Sequence, residues 1–413
     1  MQAYRQWLLA PVVIDDITVR VASKPGVTAH GSRDVAAFML AEAAAHLPLP
    51  TALSIGQDAK TMPRANVWQC GNGLVAAVLQ SRGWAVTACD RIITNAQAAR
   101  RTLGDVDNAT NAELRVHHAP LFGADATDAS LQLAVIRLPT DRISTQLMLD
   151  EAFRTLAVGG VCLLAGANDE GAKTAARTMA ACFGNAEVEA QHSGHRLLKA
   201  IKRTVTPADG WSAAPWADFD HWHIADGPSV RGVDRPLQIF ARPGVFSWEH
   251  LDEATAILAS CLDVTTGESV LDLGCGAGVL GVLSALANGG GRVLMLDADS
   301  DAVRSAQRTA EAAGVAMGPR HAEVRASDVA SAAGDERFDV VVSNPPFHLG
   351  KATDLLVPAA FIDESHERLN SGGRLLLVAN RTLPYERLIA ERFGAVRTVH
   401  DGRRFKVLGA TRA

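Results

Sequence analysis

"SVLDLGCGAGVLG", residues 269–281, is the stretch on which the fold turns. "SVLDL" (269–273) reads as a buried strand. Gly274, Gly276 and Gly278 follow, and glycines in that position let the backbone turn tightly and come close to a ligand. An apolar helix is predicted near 279–288. Strand, glycine loop and helix in that order open a sheet wound by alternating strands and helices.

The alternation continues to the end of the chain. "RVLMLD" (292–297) is a second strand, and "SDAVRSAQRTAEAAG" (300–314) a helix with Ser300 as N-cap and Gly314 as stop. "AEVRASD" (322–328) and "FDVVVSN" (338–344) are strands three and four. A helix is expected to start at Pro358 and to turn Phe361, Ile362 and Leu369 inward. "GGRLLLVAN" (372–380) is strand five, and a helix near 383–393 with strands near 395–400 and 404–410 closes the pattern. The fold class is α/β, with a doubly wound, mostly parallel sheet.

Acids around the glycine loop narrow the ligand. Asp297 ends the second strand, where a carboxylate can take both hydroxyls of a ribose. "GAGVLG" (276–281) fits the dinucleotide fingerprint and would suit an NAD-type oxidoreductase. Asp272 points the other way, because an anion just before the first glycine repels a pyrophosphate and attracts a cation. S-adenosylmethionine, with an ammonium and a sulfonium, meets that condition. Asp328 ends strand three and is either an acceptor for an adenine amine or a helix cap.

"SNPPFH" (343–348) ends strand four. Two prolines in a row stop the strand and fix the loop. The side-chain oxygen of Asn344 and the carbonyl of Pro345 can each accept one N–H of an amine, turning its lone pair toward a methyl donor. Pro346 and Phe347 offer a surface on which a flipped base can rest and stack. His348 contacts the base or a phosphate, or holds the loop.

The ordered set "VLDLGCGAG…LDAD…SD…SNPPF" resembles the class I S-adenosylmethionine-dependent methyltransferases. That resemblance makes Asp272, Gly274, Gly276, Gly278, Asp297, Asp328 and Asn344 cofactor-binding residues, and Asn344, Pro345 and Phe347 the catalytic loop. "RPGVFSWEHLDEAT" (242–255), "NPPFH" (344–348), "LNSGGRLLLVANRTLPY" (369–385) and "RFKVLGA" (404–410) narrow it to the ribosomal RNA guanine-N2 methyltransferases of the RsmC and RlmG type, over residues 236–413. The implied reaction is methylation of the exocyclic N2 amine of one guanosine in ribosomal RNA, with 16S rRNA first and 23S rRNA second. A glutamine methyltransferase acting on a translation factor is the other enzyme class, and Phe347-His348 speaks against it. A non-catalytic RNA-binding scaffold would suit only the first half of the chain.

That first half is a fainter copy. "RTLAVGGVCLLAGAN" (154–168) matches "ERLNSGGRLLLVAN" (367–380), "ACFG" (181–184) matches "ERFG" (391–394), "GHRLLK" (194–199) matches "GRRFKV" (402–407) and "CGNG" (70–73) matches "CGAG" (275–278). The offset stays between 205 and 213 residues, as a tandem duplication requires. Val67 stands for Asp272, Gln69 for Gly274 and Leu138 for Asn344. Two tandem Rossmann-like domains follow, each a seven-stranded sheet by the resemblance. Residues 1–202 are the degenerate copy, binding no cofactor and serving RNA docking or stability; 203–235 are a linker; 236–413 are the catalytic domain. Trp211, Trp216 and Trp222 in the linker are expected to pack one half against the other.

Bulk properties agree with a two-domain globular enzyme: 413 residues, 48% hydrophobic and 21% charged. "WLLAPVVIDD" near the N-terminus is short, broken by Pro11 and followed by acids, and reads as a strand or short helix, not a signal peptide. No apolar run is long enough to span a bilayer. The six cysteines form no C-x-x-C pair and cluster with no histidine at zinc spacing, which points to a reducing, cytoplasmic setting and no metal. A net charge of −5 leaves RNA binding to local patches, namely 195–203 and 403–406, with Arg404 and Lys406 as candidate RNA contacts. A duplicated chain is a pseudo-dimer in itself, so a monomer is expected.

Overall fold

The structure, a computed structural model, describes residues 2–48, 62–104, 114–120, 127–218, 220–229, 236–346 and 355–413. It divides into two units, Gln6–His221 and a second made of Met1–Arg5 with Trp222–Ala413.

The first unit opens with an antiparallel hairpin of β1 (Leu8–Ile14) and β2 (Ile17–Ser23). Its main sheet holds β3 (Arg64–Trp68), β4 (Ala85–Asp90), β5 (Leu114–His118), β6 (Leu131–Arg137), β7 (Leu156–Ala167), β8 (Glu187–His192) and β9 (His195–Ile201). The second unit has the hairpin β10 (His223–Ser229) and β11 (Pro236–Ala241). Its main sheet holds β12 (Val270–Leu273), β13 (Val293–Asp297), β14 (Ala322–Ala326), β15 (Phe338–Ser343), β16 (Leu369–Asn380), β17 (Arg397–Asp401) and β18 (Phe405–Thr411).

The two seven-stranded sheets have one topology. The orders are β5-β4-β3-β6-β7-β9-β8 and β14-β13-β12-β15-β16-β18-β17. Strands pair in parallel as far as β7 and β16, and the last two are antiparallel. This is the doubly wound α/β architecture expected for both halves. In the second unit Leu271, Leu273, Val341 and Leu375 bury one face of the sheet, while Val270, Val340, Val342 and Leu376 bury the other. Strands covered on both faces must be apolar throughout, which is why they read as continuous runs. The chain order reverses between β12 and β15, and the carboxyl ends of the strands at such a switch point are where sheets of this kind take ligands.

The duplication extends further than the matches above. "KPGV" (24–27) repeats as "RPGV" (242–245), and Lys24 and Arg242 are both 1% exposed. Asp34 and Asp252 then cap the next helix in each unit, accepting from the backbone amides of Ala37 and Thr255.

Three local expectations change. Asp299, not Ser300, caps the helix Ser300–Ala312, its carboxylate accepting from the Asp301 amide at 2.9 Å. The helix expected at Pro358 is Leu356–Arg368, with Pro358 still in the first turn where its missing N–H costs nothing, and Leu369 opens β16. The linker tryptophans pack within units. Trp211 donates its indole N–H to Asp150 and lies with Trp216 on the first unit's core. Trp222 belongs to the second unit, its ring facing the Arg304 guanidinium at 5.3 Å. All six cysteines are free, as their apolar settings imply.

Candidate active site

The loop after β12 is built on three left-handed glycines, with φ of 76° at Gly274, 52° at Gly276 and 83° at Gly278. A Cβ on Gly278 would lie 2.9 Å from the Cα of Ala306, so only glycine lets the loop meet that helix. Asp297, at the end of β13, braces the loop. One carboxylate oxygen accepts from Gly276 N at 2.8 Å and the other from Asp299 N at 2.9 Å.

Asp272 is fully buried in β12. Its Oδ2 accepts from Gly281 N at 2.8 Å, and its Oδ1 is buried with no partner among the described residues. Burial, with the Asp297 charge adding to it, pushes the Asp272 carboxyl up to about 7. A Cβ on Gly281 would stand 2.3 Å from Met295 Cγ and 3.1 Å from Asp272 Oδ2. The last glycine of "GAGVLG" therefore serves strand packing and the Asp272 contact, and needs no pyrophosphate to explain it. An orphaned carboxylate oxygen beside an open glycine loop fits the ammonium of an amino-acid cofactor.

β15 runs parallel to β12, and Ser343 Oγ donates to the Leu273 carbonyl at 2.7 Å, tying the two strand ends together. The next residue, Asn344, donates its side-chain N–H groups to Asp252 Oδ2 at 3.1 Å and Thr255 Oγ1 at 2.9 Å. A carboxylate has no proton to donate, so the amide must present nitrogen to Asp252. Its oxygen is thereby turned away, and Asn344 Oδ1 is buried without a partner among the described residues. Pro345 is buried and Pro346 exposed, while Phe347 and His348 lie outside the described residues.

The remaining candidates separate. Asp328, just after β14, accepts from the Tyr4 hydroxyl at 2.7 Å. Arg404 has a largely exposed side chain and pairs with Glu253, next to Asp252, at 2.5 Å. Lys406 turns inward instead. It is 7% exposed, and its ammonium bonds Glu386 at 2.6 Å and the carbonyls of Leu383 and Arg381 at 2.9 and 3.3 Å. Such an ammonium holds the fold and has no donor left for RNA. In the 195–203 segment Lys202 is likewise buried, donating to the carbonyls of Phe153 and Leu156. Sequence reading missed Asp252, Thr255 and Tyr4. The first two carried a signal, an Asp-x-x-Thr start of the helix Glu253–Ser260.

The corresponding place in the first unit is filled. Arg137, at the end of β6, lies 3.1 Å from Asp34 and 3.5 Å from Glu170. Trp68, Gln69, Cys70 and Arg137 line a cavity of only about 10 Å³. Asp90 nonetheless keeps the bracing role of Asp297, accepting from Gly71 N at 3.0 Å and Ile92 N at 2.9 Å. Among the described residues no helix is long and apolar enough to cross a membrane, and no three potential metal ligands gather.

Residues 236–409 match the Methyltransferase small domain family. The chain is 31% identical over 340 residues to ribosomal RNA small subunit methyltransferase C of Pseudomonas syringae pv. tomato, covering 82% of this chain and 92% of that protein. It is 34% identical over 273 residues to the Escherichia coli protein of the same name, covering 66% and 73%. A solved structure of the Thermus thermophilus 16S rRNA N2 guanosine methyltransferase RsmC, in complex with AdoMet and guanosine, superposes with a TM-score of 0.78 at 27% identity, covering 100% of this chain and 99% of that one. The chain belongs to the ribosomal RNA small subunit methyltransferase C family.

Proposed function

We propose that this protein methylates the exocyclic N2 amine of one guanosine in 16S ribosomal RNA, using S-adenosylmethionine. One observation carries the reading: the Asn344 amide is clamped through its nitrogen, so that its oxygen, without a partner among the described residues, stands at the carboxyl end of β15 beside the glycine loop. Asp272 would hold the cofactor's ammonium, Asp297 its ribose and Asp328 its adenine amine, around Gly274, Gly276 and Gly278. The cofactor supplies an electrophilic methyl group. Asn344 Oδ1 and the Pro345 carbonyl accept the two amine protons and aim the nitrogen lone pair along one line. A bond from the amine nitrogen to the methyl carbon would form as the S–C bond of the sulfonium breaks, its electron pair staying on sulfur to leave S-adenosylhomocysteine, and the one proton lost from the nitrogen would pass to water. Phe347 and His348 complete the base pocket in this reading, with Pro346 beside them and Arg404 toward the RNA backbone.

The catalytic work falls to residues 236–413. Residues 1–202 stabilise the enzyme or dock RNA, the Gln2–Arg5 helix among them joining the second unit, with 203–235 between them. The Arg137 ion pairs and the small cavity, about 10 Å³, support a first unit that takes no cofactor. The chain acts as a monomer in the cytoplasm. The test is methyl transfer from labelled S-adenosylmethionine to unmodified 30S particles, 50S particles and naked rRNAs, with Asn344→Ala as control. Labelled N2-methylguanosine in 16S rRNA alone is the expected result. Label in 23S rRNA, or none in any RNA, would overturn it.

A further inference from the structure

We propose that the segment Met1–Arg5 is a working part of the cofactor site, with Tyr4 as a positioning residue that fixes Asp328 for the adenine 6-amino group. The inference rests on the reading of Asp328 as the adenine acceptor. The helix Gln2–Arg5 precedes the entire first unit in the chain yet belongs to the second. Tyr4 is buried in the core that holds Leu273, Val341 and Phe361, and its hydroxyl donates to Asp328 Oδ1 at 2.7 Å. Arg5 reaches Glu364 Oε1 at 2.9 Å, and the other Glu364 oxygen accepts from Ala330 N at 2.8 Å. The segment thus grips the loop after β14 on both sides of one residue.

That residue, Val329, has a φ of 51°. A left-handed conformation is a true outlier for a β-branched side chain and persists only where the surroundings over-determine it. Tyr4 on Asp328 and the Arg5–Glu364 pair on Ala330 provide that determination, together with the buried Val329 side chain. A hydroxyl donated to one carboxylate oxygen fixes the plane of the group, and an incoming N–H donor needs an acceptor held in that way.

The test is calorimetric titration of the full chain with S-adenosylhomocysteine and with its analogue lacking the purine 6-amino group. Four proteins are compared: wild type, Tyr4→Phe, Asp328→Ala and the double variant, each checked by thermal melting. Tyr4→Phe should weaken S-adenosylhomocysteine about tenfold, the size of one lost charge-assisted hydrogen bond. It should leave the desamino analogue unchanged and add nothing to Asp328→Ala. Arg5→Gln, which loosens the same loop through Glu364, should discriminate between the ligands in the same sense. Equal losses for both ligands would reduce Tyr4 to a general structural role and overturn the proposal. No loss in Tyr4→Phe, with Asp328→Ala weakened, would also overturn it and leave Asp328 standing. No effect of Asp328→Ala on either ligand would remove the adenine reading itself.

Discussion

Asp252 and Asn344 stand 92 residues apart in the chain and 3.1 Å apart in the site. The carboxylate decides which end of the Asn344 amide is held and which is turned away. An asparagine at 252 could offer either oxygen or nitrogen to its neighbour, so the amide of Asn344 would lose its fixed sense. Asn is also a good helix cap, so the helix Glu253–Ser260 should survive. Asp252→Asn is therefore expected to slow methyl transfer by about 10- to 100-fold, the cost of a misplaced reacting group. S-adenosylmethionine affinity and the melting temperature should stay near wild type. Asn344→Ala should abolish turnover with cofactor binding intact. Single-turnover kinetics beside calorimetry separates the two steps, and loss of cofactor binding in either variant would make the pair structural.

With Asp272 on the cofactor's ammonium, as proposed, S-adenosylmethionine binding should depend on pH. Burial first, then Asp297, lifts it to about 7 from an ordinary 3.8. A folded-state value above the unfolded one means that its stabilising contribution is present below the unfolded value and fades as pH climbs through the folded one. The unliganded protein should therefore lose stability between about pH 4 and 7 from this group. A cationic ligand needs the carboxylate and pulls its proton off. S-adenosylmethionine affinity should rise from about pH 6 to pH 8, with proton release visible in buffers of different ionisation heat. Asp272→Asn should bind weakly at every pH. A flat affinity profile in the wild type would remove Asp272 from the ammonium site.

Cofactor stoichiometry should be one per chain. The first unit's cavity of about 10 Å³, closed in part by Arg137, has room for no more than a water. Asp272→Ala should then eliminate all binding, where two working sites would lose only half. Equilibrium dialysis with labelled cofactor reads both numbers.

Arg404 and Lys406 should respond in opposite ways. Arg404→Ala is expected to weaken 16S rRNA binding and to lower the salt slope by about one, with an unchanged melting curve. Lys406→Met takes a buried ammonium away from the carbonyls of Arg381 and Leu383 and from the half-exposed Glu386 carboxylate. It should cost about 2 kcal/mol in urea unfolding and leave the salt slope alone. A changed slope in Lys406→Met would return that residue to the RNA surface.

What could be read from the chain depended on how local each signal was. β13, β15 and the second half of β16 were legible because strands covered on both faces carry apolar runs, as in Val340-Val341-Val342, whereas edge strand β14, with Glu323 and Arg325, was legible only from its place in the alternation. The glycine loop and the Asn344-Pro345-Pro346 turn were legible because backbone conformation leaves its own residues in the text. Asp252 and Tyr4 were not, since their partners Asn344 and Asp328 lie 92 and 324 residues away. Lys406 looked like surface because nothing near it names Glu386 as its partner. At the helix Ser300–Ala312 three capping residue types stand in a row, Asp299, Ser300 and Asp301, and only geometry chooses between them. Asp90 adds a subtler lesson. A carboxylate that braces its loop stands in a copy that has Val67 and Leu138 in place of Asp272 and Asn344, so the bracing by Asp297 is separable from the ligand contact proposed for it.

The division of the second unit into Met1–Arg5 and Trp222–Ala413 has a consequence for biosynthesis. Tyr4 leaves the ribosome ahead of every strand of the first unit, and its partner Asp328 follows 324 residues later. A translating chain can complete and bury its first sheet while this leading segment stays undocked. The Tyr4–Asp328 and Arg5–Glu364 contacts beside Val329 form only after residues 328–364 have been made. If Tyr4 fixes Asp328 for the adenine amine, S-adenosylmethionine binding would wait for this last stage of folding.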